Sequence, residues 1–232
     1  MPDPFAQALY DHRFDELREP LRYRRGEETE AVGIEFYFDQ VDLDGSWLAS
    51  WLDGPVLDMG AGAGRHALAL QDRFETVAIE QTERLVEVLH DRGVEDARLV
   101  DMFELREAFP ENRFESAMAL GTQACLSRSM RGLEGFLDDL AHVTTADGTA
   151  IIDSYDPEHT HTKEKLDYYE DPAEGLAYRV LQMEYDGTLG EPWLYRLFTP
   201  DRVREVVAET AWTVADVQYG PEYLYQVALE KQ

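Results

Sequence analysis

Three glycines at alternating positions, Gly60, Gly62 and Gly64, follow an apolar run that ends in an acid, in Val56-Leu57-Asp58-Met59-Gly60-Ala61-Gly62-Ala63-Gly64-Arg65-His66. Glycine has no Cβ, so such a segment turns tightly and lets a ligand approach the backbone. The spacing is not that of the dinucleotide fingerprint Gly-x-Gly-x-x-Gly, whose third glycine would fall on Arg65 counted from Gly60, or on Ala67 counted from Gly62. A pyrophosphate seeks free helix amides, whereas Asp58 puts a carboxylate at the strand end, where an amino group is the better partner.

Other residues with chemistry stand at comparable places. Glu80 closes the apolar run Thr76-Val77-Ala78-Ile79 and precedes Gln81; Asp101 lies between Val100 and Met102; Leu120-Gly121-Thr122 closes the run that starts at Ser116. Read alone, Glu80 is either a ligand carboxylate or a helix-start acid, and Asp101 either a ligand carboxylate or the cap of a helix near Phe103. Arg65 and His66 either touch a ligand or face solvent. Asp153, Tyr155, Asp156, His159 and His161 offer proton acceptors in what is otherwise a polar loop. Tyr37, flanked by Phe36 and Phe38, either shields a reacting group or packs a cap, and Arg179, with Tyr178 and Tyr185, lies in an aromatic-rich stretch. Arg22, Arg24 and Arg25 form a basic cluster suited to surface ion pairs. The lone Cys125 cannot form an internal disulfide, and no Cys or His stands at ligand spacing, so no metal site is expected.

The elements that must position these residues follow from periodicity. Short apolar runs at Pro55 to Met59, Thr76 to Ile79, Ala97 to Val100, Ser116 to Leu120 and Thr149 to Asp153 alternate with helices starting near Gly64, Thr82, Phe103 and Ser129. That alternation predicts a doubly wound, mostly parallel α/β sheet covered on both faces. The Ser129 helix is expected to end before a turn at Asp147-Gly148 with glycine at positive φ. Residues 176–198 read as an inserted antiparallel hairpin broken by Asp186-Gly187 and by Gly190-Glu191-Pro192. Thr199 caps a helix with Pro200 at its first position, and Trp212 to Tyr219 and Tyr223 to Glu230 pair antiparallel across Gly220-Pro221-Glu222. Residues 1–50 fall outside the repeat and read as a helical N-terminal cap, so residues 1–232 are expected to form a single domain.

At these positions the sequence resembles the class I S-adenosylmethionine (SAM) dependent methyltransferases, whose first motif is strand, acid, x-Gly-x-Gly-x-Gly, helix. The resemblance runs from about residue 54 to the C-terminus in element order and implies a seven-stranded sheet closed by an antiparallel hairpin. It implies SAM as cofactor, cradled by Asp58, Gly60, Ala61, Gly62 and Gly64. It further places the ribose hydroxyls on Glu80 beside Gln81, the adenine on Asp101 and the Met102 amide, and the methionine part near Leu120 and Gly121. The activity it implies is methyl transfer by in-line displacement, with a non-catalytic SAM-fold binding or regulatory module as the alternative.

Charge and missing motifs narrow the acceptor. The chain carries 48 acids against 21 bases, a formal charge of -27, which excludes the basic footprint of a nucleic-acid groove. Lysine is scarce, only Lys163, Lys165 and Lys231, and a surface so acidic suits concentrated salt, where the Debye length falls to roughly 3 Å at 1 M. A salt-accumulating source is the resulting expectation. Gly121-Thr122-Gln123 replaces the Asn-Pro-Pro-Tyr or Asp-Pro-Pro-Tyr of amino-methylating nucleic-acid and glutamine enzymes, and no Pro-Cys of the cytosine C5 enzymes occurs. The expected partner is therefore a small-molecule methyl acceptor, with Tyr37, Asp153, Tyr155 and Arg179 as candidates to touch it. No apolar run approaches the length of a membrane span, so a cytoplasmic protein free of membranes is expected.

Overall fold

The computed structural model describes residues 3–220 and 223–232, so Pro221 and Glu222 of the expected last turn lie outside the described residues. The chain runs α1 (Pro4–Arg13), β1 (Arg22–Arg25), β2 (Glu28–Ala31), β3 (Val56–Met59), α2 (Ala67–Gln71), β4 (Thr76–Glu80), α3 (Glu83–Asp91), β5 (Ala97–Leu99) and α4 (Leu105–Ala108). It continues with β6 (Phe114–Ala119), α5 (Met130–Val143), β7 (Thr144–Tyr155), α6 (Thr160–Lys165), β8 (Tyr169–Glu170), β9 (Leu176–Tyr185), β10 (Thr188–Leu189) and β11 (Trp193–Phe198). It closes with α7 (Pro200–Val207), β12 (Trp212–Tyr219) and β13 (Leu224–Lys231).

Seven strands form the main sheet in the order β12-β13-β7-β6-β3-β4-β5. The five strands from β3 to β7 are parallel neighbours, and β13 enters antiparallel between β7 and β12. The inner strands β3 and β4 and most of β6 bury both faces, as the continuous apolar runs require, whereas the edge strand β5 leaves Arg98 and Leu99 exposed. On one face α5 lays Leu133, Phe136, Leu137 and Leu140 against Leu57, Ile79, Ala119 and Ile152. Trp212 of β12 is buried there, and its indole N–H donates to the Leu137 carbonyl at 2.9 Å. The helix starts are set by side-chain caps: Thr82 accepts the Leu85 N–H, Ser129 the Gly132 N–H and Thr199 the Arg202 N–H, with Pro200 at the first turn of α7.

A second, six-stranded sheet covers the carboxyl-end side of the first. Its central strand β9 pairs with β1, β10, β11 and β8, all antiparallel, and β1 pairs with β2. Asp186 (φ 50°) and Gly187 (φ 67°) make the two-residue turn between β9 and β10, where left-handed backbone matches the strand twist. The inserted hairpin expected over 176–198 is thus present, and it is larger than a hairpin.

Three expectations need correction. The N-terminal cap is only partly helical: after α1 the chain folds into the β1–β2 hairpin, because a turn at Gly26 (φ 60°) and the cross-strand Arg24–Glu184 pair at 2.6 Å draw it onto β9. The expected helices near Gly64 and Phe103 shrink to α2, starting at Ala67, and the single turn α4, since the glycine loop consumes the first residues of one and Asp101 turns the chain before the other. Gly148 does not end a helix at positive φ. It lies in an irregularity of β7, where a Cβ would meet the Thr145 carbonyl at 2.9 Å, so glycine is required there by close approach.

Candidate functional site

The glycine loop leaves the end of β3 and hugs β4. Gly60 and Ala61 both donate to the Ile79 carbonyl, at 3.0 and 3.2 Å, while Gly62 donates to Glu80 Oε1 at 2.6 Å and Gln81 to Glu80 Oε2 at 3.1 Å. All three loop glycines take positive φ (67°, 58° and 84°), conformations that cost other residues about 1–2 kcal/mol each. Their surroundings differ. A Cβ on Gly64 would strike Leu89 at 2.9 Å and Val94 at 3.0 Å, and one on Gly60 would strike the Gln123 side chain at 2.6 Å. A Cβ on Gly62 would meet only the Tyr37 ring, at 3.9 Å, so the middle glycine is the one with open space on its outer side.

Beneath the loop the electrostatics are unusual. Asp58 is buried, its carboxylate takes the Ala67 backbone N–H, and its Oδ2 has no hydrogen-bond partner. Burial first, and the neighbouring Glu80 charge second, push its pKa up to about 7, against the opposing pull of the Ala67 amide. Burial likewise pushes Glu80 up to about 7, opposed by the Gly62 and Gln81 amides. Two buried carboxylates side by side with one unsatisfied oxygen form a site for a cation. His66 is pushed down to about 4 by burial and by the charge of Arg65, so it is neutral at pH 7, and the Arg65 guanidinium lies 4.0 Å over the Phe36 ring.

The remaining expected cofactor residues line the same carboxyl edge of the sheet. Asp101, just past β5, accepts the Phe103 N–H on Oδ1 at 3.0 Å in a local turn; it does not cap α4, whose N-cap position is Glu104. Met102 is buried in the core against α5, and Leu120 is buried on the opposite face beside Met118 and Ile151. Gly121 (φ 80°) and Thr122 (φ 63°) donate to the two oxygens of Asp153, at 2.8 and 2.6 Å. Asp153 is 1% exposed and pushed up to about 7 by burial. Expected as a candidate to touch a substrate, it braces the β6 loop against β7 by accepting one backbone amide on each oxygen.

Opposite the loop stands a group of tyrosines that the sequence revealed only in part. Tyr37, in a short 3-10 turn over Ile34–Tyr37, lies over Gly62 and shares a hydrogen bond with Tyr23 of β1. Burial first and the surrounding phenols Tyr23, Tyr195 and Tyr155 next raise the Tyr37 hydroxyl far above its ordinary range, and Tyr195 is raised by burial in the same surroundings. Tyr195 lies directly across from Arg179 in the β11–β9 pairing. Tyr37, Tyr155 and Arg179 are therefore brought together, joined by Tyr23 and Tyr195, which were not singled out from the sequence. Their only earlier sign was the alternation of aromatic residues in strand-like runs.

Arg92 and Gln123 were also missed. The Arg92 guanidinium donates to the Ala63 carbonyl and to the Phe38 carbonyl, the latter at 2.9 Å, and so ties the Tyr37 turn to the glycine loop. Helix α1 joins this assembly: Ala6, Ala8 and Leu9 pack with Met183 and Tyr185 of β9, Ala63 of the loop, and Leu85 and Val88 of α3. Tyr185 serves that packing, its hydroxyl donating to Asp11 at 2.8 Å and accepting the Arg18 N–H at 3.0 Å. Arg24 and Arg25 pair with Glu184 and Asp167, the ion-pair role expected of the basic cluster. Cys125 is buried, its thiol raised chiefly by that burial and placed 3.3 Å from Ser154 Oγ, which does not suit a nucleophile. Among the described residues no group of three or more His, Cys, Asp or Glu side chains could hold a metal ion, and no helix is long and apolar enough to cross a membrane.

Solved structures share this architecture. A SAM-dependent methyltransferase from Bacteroides fragilis, crystallised with S-adenosyl-L-homocysteine, matches 100% of this chain and 97% of its own at 25% identity and a TM-score of 0.81. The 1,6-didemethyltoxoflavin-N1-methyltransferase from Burkholderia thailandensis matches at 20% identity and TM-score 0.52, over 76% of this chain and 70% of its own. CalS10, an amino pentose methyltransferase from Micromonospora echinaspora, matches at 15% identity and TM-score 0.57, over 76% and 83%. The last two likenesses concern the fold alone. No protein-family model and no curated protein matches the sequence.

Proposed function

We propose that this chain, by fold a member of the class I SAM-dependent methyltransferases, binds SAM on its glycine loop and methylates a small molecule held under the Tyr37 cap. One observation carries the reading: the buried Asp58, with an unpartnered Oδ2, lies beneath a loop whose middle glycine is open toward Tyr37. The α-ammonium of SAM supplies the cation that such a carboxylate lacks. Similar proteins bind the same chemistry: the Bacteroides fragilis structure contains S-adenosyl-L-homocysteine, and the CalS10 structure contains SAM.

Each residue then has a task. Asp58 accepts from the ammonium. Glu80 spends one acceptor site per oxygen on the Gly62 and Gln81 amides, and a carboxylate has about four such sites, so two remain for ribose hydroxyls. Asp101, with Oδ1 occupied by the Phe103 amide, offers its second oxygen to the adenine amino group beside the Met102 amide. Ala61 and Gly64 shape the cradle, and Leu120 and Gly121 border the methionine part.

SAM supplies the methyl group: the acceptor's nucleophile bonds to the methyl carbon as the carbon–sulfur bond breaks, the electron pair stays on sulfur, and a proton on the acceptor leaves to solvent. The protein's part is alignment and exclusion of water, which can supply several kcal/mol. Tyr37 brings an aromatic ring near Gly62, and a ring face turned toward the sulfonium would favour its charge. We read residues 1–50 and 176–198 as one cover over a single domain that works in a salt-rich cytoplasm.

Calorimetry with S-adenosyl-L-homocysteine tests the cofactor assignment, with a dissociation constant in the micromolar range expected. Transfer of a labelled methyl group from SAM to a panel of small amines, acids and thiols tests the activity. Absence of S-adenosyl-L-homocysteine binding sinks both.

A further inference from the structure

Arg179 of β9 differs from three arginines of its sheet that are held in ion pairs, although the Arg196 Nε, like its own, is buried without a partner. Arg24 pairs with Glu184, Arg25 with Asp167 and Arg196 with Asp171, as arginines should in a chain of 48 acids and 21 bases. Arg179 makes no ion pair and no hydrogen bond among the described residues, and its Nε is buried without a partner. Its guanidinium carbon lies 5.9 Å from the centre of the Tyr23 ring, and Tyr195 is its cross-strand neighbour. Burial pulls its pKa below the ordinary arginine range, with the Tyr23 and Tyr155 phenols opposing. An unsatisfied buried donor on a charged group is costly, so a fold that keeps one gains from a ligand that meets it.

The direction of that unmet charge is informative. Tyr23 connects Arg179 to Tyr37, and Tyr37 lies over Gly62, so the guanidinium belongs to the same group of phenols as the ring beside the glycine loop. An arginine fork of Nε and one Nη matches the two oxygens of a carboxylate. A single cation balances one negative charge; a phosphate dianion would leave a surplus charge among phenols, in a protein whose own charge is already -27.

We infer that the methyl acceptor is a monocarboxylate, its carboxylate paired with Arg179 and its body walled by Tyr23, Tyr37, Tyr155 and Tyr195 against the glycine loop. This rests on the SAM reading of that loop. It makes Arg179 a substrate-binding residue and sets acids apart from amines as the substrate class.

The test titrates protein saturated with S-adenosyl-L-homocysteine with benzoate, benzamide, benzylamine and phenylphosphonate, which differ in charge on one ring. Benzoate is expected to bind at least tenfold more tightly than each of the others. Arg179→Gln is expected to erase that preference while leaving S-adenosyl-L-homocysteine affinity within twofold. Should Arg179→Gln fail to fold by thermal unfolding, Arg179→Lys serves instead, with a three- to tenfold loss of benzoate affinity because an ammonium lacks the fork. Equal binding of benzoate and benzamide, tighter binding of phenylphosphonate or benzylamine, or a preference that survives in the variant overturns the proposal. Loss of S-adenosyl-L-homocysteine affinity in Arg179→Gln overturns it too, since the arginine then serves the cofactor's own carboxylate. If wild-type protein binds no S-adenosyl-L-homocysteine, the cofactor reading fails first and takes this one with it.

Discussion

The Glu80 carboxylate accepts the Gly62 amide hydrogen at 2.6 Å, so the acid that closes β4 holds the middle glycine of the loop that closes β3. With Asp58 buried next to it, the arrangement places two carboxylates beneath the one loop residue that has open space above it. Stability and ligand binding are coupled at this point.

Glu80→Gln tests that coupling. The amide keeps the size of the side chain and relieves the burial of a charge, but its NH2 faces one of the two backbone N–H groups that Glu80 now accepts. These effects oppose, and the melting temperature is expected to move by only a few degrees. A hydrogen bond to a charged group is worth about 1.5–3 kcal/mol, so S-adenosyl-L-homocysteine affinity is expected to fall tenfold or more. Calorimetry beside thermal unfolding separates the two.

Gly62→Val and Gly64→Val should fail in different ways. Both residues sit at positive φ, but only Gly64 has neighbours, Leu89 and Val94, within 3.0 Å of a Cβ. Gly64→Val is expected to destabilise the fold by about 3 kcal/mol or more, through strain and overpacking together. Gly62→Val is expected to cost about 1–2 kcal/mol of stability while lowering S-adenosyl-L-homocysteine affinity at least thirtyfold, since its methyls fill the space under Tyr37. Unchanged affinity in Gly62→Val would refute the loop assignment.

The pH dependence follows from Asp58, Glu80 and Asp153, each pushed up to about 7 in the folded protein. An acid whose folded pKa is raised stabilises fully below its unfolded value of about 4, and that contribution is lost as pH rises toward 7. Ligand-free protein is therefore expected to melt at lower temperature at pH 8 than at pH 5.5. Binding has the opposite slope: ionised Asp58 is what pairs with an ammonium, so S-adenosyl-L-homocysteine affinity should rise from pH 5.5 to 8 and binding should release protons. Calorimetry in buffers of different ionisation enthalpy measures that release, and proton uptake would contradict the pairing.

Salt should stabilise. The ion pairs, such as Arg13–Asp91 and Arg204–Asp201, are exposed and worth little, roughly 0–1 kcal/mol apiece. The unpaired surplus of -27 repels itself across the surface, and salt screens that repulsion. A rise in melting temperature of several degrees from 0.1 to 2 M KCl is expected in differential scanning fluorimetry. A fall would mean that the exposed pairs matter more than the net charge.

Much of this was legible along the chain, and for one reason: local rules act over a few residues. Thr199 caps its helix as expected, Thr82 and Ser129 cap the helices expected to start near them, and the apolar runs from Pro55 to Asp153 are the five parallel strands. The glycine loop after β3 was legible too, since three left-handed residues within five strongly favour glycine. The β1–β2 hairpin was illegible because its charged strands, Arg-Tyr-Arg-Arg and Glu-Thr-Glu-Ala, carry no apolar period; they are strands because β9 lies beside them.

What the sequence determined by itself is the sheet, its strand polarity and the residues that line its carboxyl edge, because those follow from period, caps and glycine conformations. What only the tertiary structure decided is the identity of the facing wall. Tyr23, Tyr37, Tyr155, Tyr195 and Arg179 are far apart along the chain, and Asp153 stood beside them as an equal candidate. Folding took both oxygens of Asp153 for backbone amides and left the Arg179 Nε with no partner. Which buried polar atoms remain unsatisfied depends on long-range contacts that no local pattern records.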